Sequence, residues 1–418
     1  MSQFYIKGGL PLKGEVEVQG AKNAVLPILA AALLNQGESI IHNVPNLKDV
    51  STMILILESI GCKIRKEGKT LIVDSSAIHT NEVPEKLVRE MRSSIILLGA
   101  ILATHKQAKF SYPGGCDIGL RPIDLHLKSL RELGAEVTES HGYIYCKSST
   151  LKGSQIQLDY PSVGATENIM LAASLANGIT IIRNAAKEPE IYDLQNFLNK
   201  MGGKIRGAGT NTIIIEGVKK LSNVEYEIMP DRIAAGTFAV AAAITGGKIT
   251  LNNAHIEHIS SIVSKLFEAG SKIIQLEDKI IIDTPKKLKA VETIRTLPYP
   301  GFPTDMQAQM MALMTVAQGT SIFTETIFEN RYKHASQLIR MGANINVDGR
   351  VAVIKGVNKL YGAHVAAMDL RGGAALVLAG LAAEGDTIVD NIYHVDRGYE
   401  DFEKSLQSIG ASIFRKIE

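Results

Sequence analysis

One phrase recurs six times along the chain: SIGCKI, LGAEV, MGGKI, AGSKI, MGANI and IGASI, carrying Gly61, Gly134, Gly202, Gly270, Gly342 and Gly410. Spacings of 68 to 73 residues mark one supersecondary unit copied six times, and six copies fill the 418 residues. Each copy opens on a helix of small and aliphatic residues, such as AVLPILAAALL or RIAAGTFAVAAAI. A helix apolar on every side is buried on every side. A β-rich stretch follows, then an amphipathic helix closed by the recurring glycine, which suits a helix C-cap, then two strands. The unit reads βαβαββ, and the fold class is α/β.

The sixth copy ends at IGASIFRKIE without its last strand. The opening stretch FYIKGGLPLKGEVEV matches VAVIKGVNKLYGAHV in pattern, so the amino terminus is expected to complete the last repeat. Two domains of three repeats follow, one of residues 22–229 and one of residues 1–21 plus 230–418, with crossings near Gly20 and Met229. A chain this long outgrows a single core in any case.

Lys and Arg number 45 against 43 Asp and Glu, a net charge of +2, with no basic block, which argues against a broad nucleic-acid surface. At 45% hydrophobic residues the chain is not disordered. Its longest apolar stretches, 93–104 and 234–245, fall short of the ~20 residues that cross a bilayer, so no membrane insertion is expected. MSQFYIKGGL has none of the features of a secretory signal. Three widely spaced cysteines, Cys62, Cys116 and Cys146, fit a reducing cytoplasm better than a disulfide framework, and no Cys/His cluster suggests a metal.

Aligning the repeats on one another exposes cations at helix starts. Lys22, Arg92, Arg232 and Arg371 begin the first helices; Lys48, Arg121, Arg331 and Arg397 begin the second. A cation is mildly unfavourable at the positive end of a helix, so the recurrence needs an external anion or an acidic partner. A substrate with several negative groups is the natural inference. Repeat five departs from the pattern, with Asp305 in FPTDMQAQ roughly where repeats one, four and six have their cation. It is either a general base facing an anion site or an N-capping or first-turn carboxylate stabilising its own helix.

The register also separates the cysteines. Cys62 fills the slot taken elsewhere by Ala135, Gly203, Ser271, Ala343 and Ala411, and Cys146 lies in a strand, so both read as packing residues. Cys116 has no counterpart: it sits in SYPGGCDIGLR, a loop three or four residues longer than its equivalents and rich in glycine. A thiol beside Arg121, on a loop able to fold over an anion, suits a proton donor or a nucleophile.

The segments PGGCDIGLRPIDLH, GAKNAVLP, FPTDMQAQ, FENRY, DLRGGAALVLAG and YHVDRGYE together resemble the UDP-N-acetylglucosamine 1-carboxyvinyltransferase family over essentially the whole chain. The resemblance implies an inside-out, barrel-like α/β fold in two domains, with the active site in the cleft between them. It implies transfer of the enolpyruvyl group of phosphoenolpyruvate to the 3′-hydroxyl of UDP-N-acetylglucosamine, the first committed step of peptidoglycan synthesis, without cofactor or metal. Cys116 would protonate the methylene carbon of phosphoenolpyruvate, form a covalent adduct with it and be the residue open to fosfomycin. Asp305 would assist deprotonation of the sugar hydroxyl. Lys22, Asn23, Arg121, Arg331, Arg371 and Arg397 would hold phosphoenolpyruvate. Arg92, Arg121, Pro122, Ile123, Asp124, Leu125, Ser162, Val163, Gly164, Asp305 and Ile327 would hold the sugar nucleotide, with Lys48 and His394 behind them. Tyr160 departs from members that have a basic residue there. Two alternatives compete: an enolpyruvyl transferase acting on shikimate 3-phosphate, disfavoured by the GGCDIGLRPIDL loop, and a catalytically silent sugar-nucleotide binder. The oligomeric state is left open.

Overall fold

A helix with no polar face needs cover all round, and the chain supplies it with short sheets. The computed structural model describes residues 2–114 and 122–417, and these form two compact units, one of residues 2–19 and 230–417, the other of residues 20–114 and 122–229. In the first unit the helices Arg232–Thr245, Gln307–Met314 and Leu370–Ala382 pack against one another. Every residue of Gln307–Met314 is buried, as is every one from Leu370 to Leu381. The second unit packs Lys22–Ala31, Leu97–His105 and Val163–Ala173 in the same way.

Three sheets surround each trio of helices, built by one rule: a parallel pair at one edge, then an antiparallel hairpin. Their strands alternate buried and exposed residues, as in Lys248–Asn252, where Ile249 and Leu251 point to the core. The sheet of Gln107–Ser111, Tyr143–Lys147 and Glu136–Ser140 has three strands, and a parallel bridge from Glu82 to Lys109 stands in for its fourth. The α/β class and six-repeat plan expected from the sequence are those of the structure.

The strands before the first helix of each unit are exchanged. Lys13–Glu17 pairs in parallel with Lys248–Asn252 in the first unit, and Val224–Glu227 pairs with Glu38–His42 in the second. Ser2–Lys7 lies between Asp386–Asp390 and Ser412–Ile417, antiparallel to both. It occupies the hairpin position that Val351–Lys355 fills in its own sheet.

The six recurring glycines share one conformation, with φ between 90° and 113°. In each repeat the amide after the glycine donates to the carbonyl five residues back at 2.9–3.1 Å, as Cys62 does to Leu57 and Ala411 to Leu406. This doubly bonded helix end demands a left-handed residue, which is why the glycine recurs. The small residue after it turns back into the core: Cys62 and Ala343 are both buried. Two first helices differ from expectation, since repeats two and five open on the 3₁₀ turns Arg92–Ile96 and Thr304–Met306 before the α-helix begins.

Phe4, fully buried on Ser2–Lys7 and covered by the Arg415 guanidinium at 4.9 Å from its ring centre, ties the amino terminus to the first unit. Phe4→Ala is expected to cost about 3–5 kcal/mol, read as a lower urea midpoint for the first unit; an unchanged midpoint would show that the strand adds nothing.

Candidate functional site

In the first unit the polar ends of the buried helices meet at Asp305. Its Oδ1 accepts from Arg331 Nη2 at 2.8 Å and its Oδ2 from Arg371 Nη2 at 3.0 Å. Both guanidiniums are nearly inaccessible, with 5% and 3% of their side-chain surface exposed against 28% for Asp305. Two buried cations are tolerable only with a counter-charge, and Asp305 is that charge. Burial disfavours the Arg371 cation, but Asp305, with Tyr399 and Asp231, outweighs burial and holds it protonated more firmly than usual. Among the described residues, Arg371 Nε and Nη1 and Arg331 Nε have no hydrogen-bond partner.

Helix caps set this geometry. Asp231 and Asp369 cap their helices, each accepting two backbone N–H bonds at 2.8–3.0 Å, and this fixes Arg232 and Arg371 in the first turn. Asp305 lies one residue into a 3₁₀ turn whose N-cap is Pro303. Asp305 is thus a first-turn carboxylate whose two oxygens accept from arginine side chains. Arg331 and Arg397 also correct the sequence reading: Arg331 sits in the turn before Ala335–Arg340, and Arg397 ends the 3₁₀ stretch Ile392–Arg397. Arg397 is followed by Gly398, whose missing side chain leaves room for Leu370 and for Arg371 Nη1. His394 precedes it with its ring against Tyr393, the centroids 4.2 Å apart.

Sequence reasoning missed the residues that hold this group. The Tyr399 ring lies 5.4 Å from the Arg371 guanidinium. Gln309 Nε2 donates to Asp305 O at 2.9 Å, to Thr237 Oγ1 at 3.1 Å and to the Tyr399 hydroxyl at 3.2 Å. Gln19 brackets Tyr399, donating to Gly398 O and accepting from Glu400 N–H at 2.7 Å. Buried polar residues inside apolar helices, such as Gln309, were the available signal.

The second unit gathers another set. Lys22, first residue of its helix, pairs with buried Asp49 at 2.8 Å, the acidic partner that a cation at a helix start calls for. Asn23 is in the same first turn, and Lys48 opens Lys48–Ser59 beside Asp49. Ser162 caps the helix Val163–Ala173 through Ala165 N–H, leaving Val163 and Gly164 at its start. Pro122 and Ile123 lead into Asp124–Glu132, which includes Leu125. His126 joins the two helices: its ring lies where a side chain on Gly164 would be, 3.1 Å from that position, and Nδ1 accepts from Asn168 Nδ2 at 2.9 Å. Asn168 is oriented by Gly99 N–H and Ile95 O. Burial, helped by the Arg92 charge, pushes His126 down to about 4. Arg92 itself donates to Pro113 O at 3.2 Å. Tyr160 is exposed, and its carbonyl accepts from Ser162 N–H. Ile327 belongs to the first unit, in the loop after Thr320–Thr324. Cys116 and Arg121 lie outside the described residues. Cys62 and Cys146 are buried, and burial pushes both thiols up to about 12.

Comparison with known proteins gives this arrangement its class. The family model described as EPSP synthase (3-phosphoshikimate 1-carboxyvinyltransferase) matches residues 6–406. The enolpyruvyl transferase NikO from Streptomyces tendae superposes with a TM-score of 0.89 at 24% identity, covering 99% of each chain. EPSP synthase from Acinetobacter baumannii does so with a TM-score of 0.75 at 19% identity over all of both chains. The fold is that of the enolpyruvyl transferases. UDP-N-acetylglucosamine 1-carboxyvinyltransferase 2 of Caldanaerobacter subterraneus subsp. tengcongensis is 60% identical over 99% of this chain and 100% of its own. That of Geobacter metallireducens is 51% identical over the full length of both. The chain belongs to the UDP-N-acetylglucosamine 1-carboxyvinyltransferase family.

His126 and His334, the latter also pushed down to about 4 by burial, stay neutral in the folded protein. Unfolded, each titrates near ~6.5, so between that pH and about 4 only the unfolded chain takes up their protons. Stability therefore falls as pH drops through this window, by up to roughly 1.4 kcal/mol per pH unit per histidine. Buried Asp193 and Glu167, both pushed up by burial, act in the opposite sense, so the histidine contribution is read by difference: going from pH 7.5 to pH 5 is expected to cost His126→Gln less stability, by urea midpoint, than the native protein, and equal changes would contradict the assignment.

Proposed function

We propose that the protein transfers the enolpyruvyl group of phosphoenolpyruvate to the 3′-hydroxyl of UDP-N-acetylglucosamine in the cytoplasm, with release of phosphate, as the committing step of peptidoglycan synthesis. The observation that carries this reading is Asp305 held between buried Arg331 and Arg371, in a chain that shares its full length with enzymes named for this reaction. An arriving carboxylate or phosphate competes with Asp305 for the two guanidiniums, of which Arg331 Nε and Arg371 Nε and Nη1 have no hydrogen-bond partner among the described residues. That competition frees the Asp305 oxygens to take the proton of the sugar hydroxyl. Lys22, Asn23, Arg121, Arg331, Arg371 and Arg397 hold phosphoenolpyruvate. Arg92, residues 121–125, Ser162, Val163, Gly164, Asp305 and Ile327 hold the sugar nucleotide.

In this reading Cys116 protonates the methylene carbon, and positive charge develops on the adjacent carbon, where the hydroxyl oxygen attacks. Loss of a proton from the new methyl group and departure of phosphate restore the double bond. The fixed cations neutralise the phosphate as it leaves. Residues 22–229 and residues 1–21 with 230–418 act as the two enolpyruvyl-transferase domains.

The test is phosphate release from phosphoenolpyruvate with UDP-N-acetylglucosamine, with shikimate 3-phosphate, or with no acceptor. Release with the sugar nucleotide alone is expected; release only with shikimate 3-phosphate would overturn the acceptor. Cys116→Ala and Asp305→Asn are each expected to slow turnover about 100- to 10,000-fold while sugar-nucleotide binding persists in calorimetry. With Cys62 and Cys146 buried and protonated, epoxide labelling at neutral pH should map to Cys116 by mass spectrometry and vanish in Cys116→Ala.

A further inference from the structure

Repeat five departs from its siblings at a second place besides Asp305. In four repeats the residue after the first strand of the hairpin sheet is a left-handed asparagine: Asn43, Asn184, Asn253 and Asn391, with φ between 53° and 58°. Three of them donate to the carbonyl just past the neighbouring parallel strand, Asn43 to Ile228, Asn184 to Leu158 and Asn253 to Val18. In repeat five this position is Glu325, fully buried. The residue past the parallel strand there is Thr296.

Glu325 does more than the asparagines do. Its Oε1 accepts from Thr296 Oγ1 at 2.8 Å, Ile327 N–H at 2.8 Å and Phe328 N–H at 3.2 Å, while Oε2 accepts from Thr304 Oγ1 at 2.9 Å. Thr304 is also gripped from the other side, its carbonyl accepting from Arg331 Nη2 at 3.3 Å. One carboxyl group thereby fastens the residue before Asp305 to the loop that carries Ile327. An acceptor with several lone pairs can satisfy four donors at once, which an asparagine amide cannot.

We infer that Glu325 is a positioning residue for the sugar nucleotide, setting the Asp305 turn and the Ile327 loop at a fixed separation. The inference rests on the function proposed above, in which those two residues contact that substrate. A buried carboxyl surrounded by four donors leaves them unsatisfied when removed, so both loops lose their fixed geometry.

Glu325→Ala is expected to raise KM for UDP-N-acetylglucosamine about tenfold or more, Thr304→Val to raise it less, and Glu325→Gln, which keeps one acceptor oxygen, to restore most of the loss. Hydrogen exchange on the unliganded protein should quicken at residues 302–306 and 325–330 in Glu325→Ala and stay unchanged in the second unit. A purely structural role would reduce the active fraction and leave KM as it was. KM within twofold of the native value in Glu325→Ala, or in Thr304→Val should the first fail to fold, overturns the inference. Native protein that releases no phosphate with the sugar nucleotide overturns the proposed function instead, and the inference falls with it.

Discussion

Helices with no polar side are the constraint from which the rest follows. Leu370–Ala382 and Gln307–Met314 expose no face to water, so each must be enclosed by sister helices and sheets. Three helices packed together have three outward directions, and each unit covers them with three sheets. Because the helices are repeated, so is the cover, and the same glycine turn ends every amphipathic helix between sheets.

The enclosure concentrates charge near the helix ends, while polar groups farther in, such as Thr237 and Asn168, are hydrogen-bonded to other buried groups. First-turn N–H groups have no partner within the helix, and the chain meets them with Asp231, Asp369 and Ser162 as caps. Charged side chains brought to these ends are deeply buried and must be paired: Lys22 with Asp49, Arg331 and Arg371 with Asp305. The buried ion pairs at the helix ends are thus a consequence of how the core is built. Asp305 marks the place where one repeat has a carboxylate instead of a cation, and it pairs with both arginines.

Repetition made much of this legible. The six glycines, the small slot holding Cys62 and the apolar helices carried the fold class, since each is a local requirement that any copy must satisfy. Departures were legible too, and Asp305 and Cys116 stood out because their siblings differ. Glu325 breaks the same pattern, but what sets it apart is its four acceptor contacts, which sequence does not display. Arg331 and Arg397 were misplaced at helix starts because their helices, Ala335–Arg340 and Phe402–Ser408, are short and begin later than the repeat pattern suggests.

Periodicity and turn chemistry act over a few residues, and so the sequence by itself determined the α/β class, the six-unit plan and the conformation of each recurring glycine. Which side chains meet was decided only by tertiary structure. Asp305 and Arg371 are 66 residues apart, as are Gln19 and Glu400 by 381, and no local rule links them. Their pairing follows from burial: a guanidinium enclosed by apolar helices has few polar groups within reach, and the fold determines which one it finds.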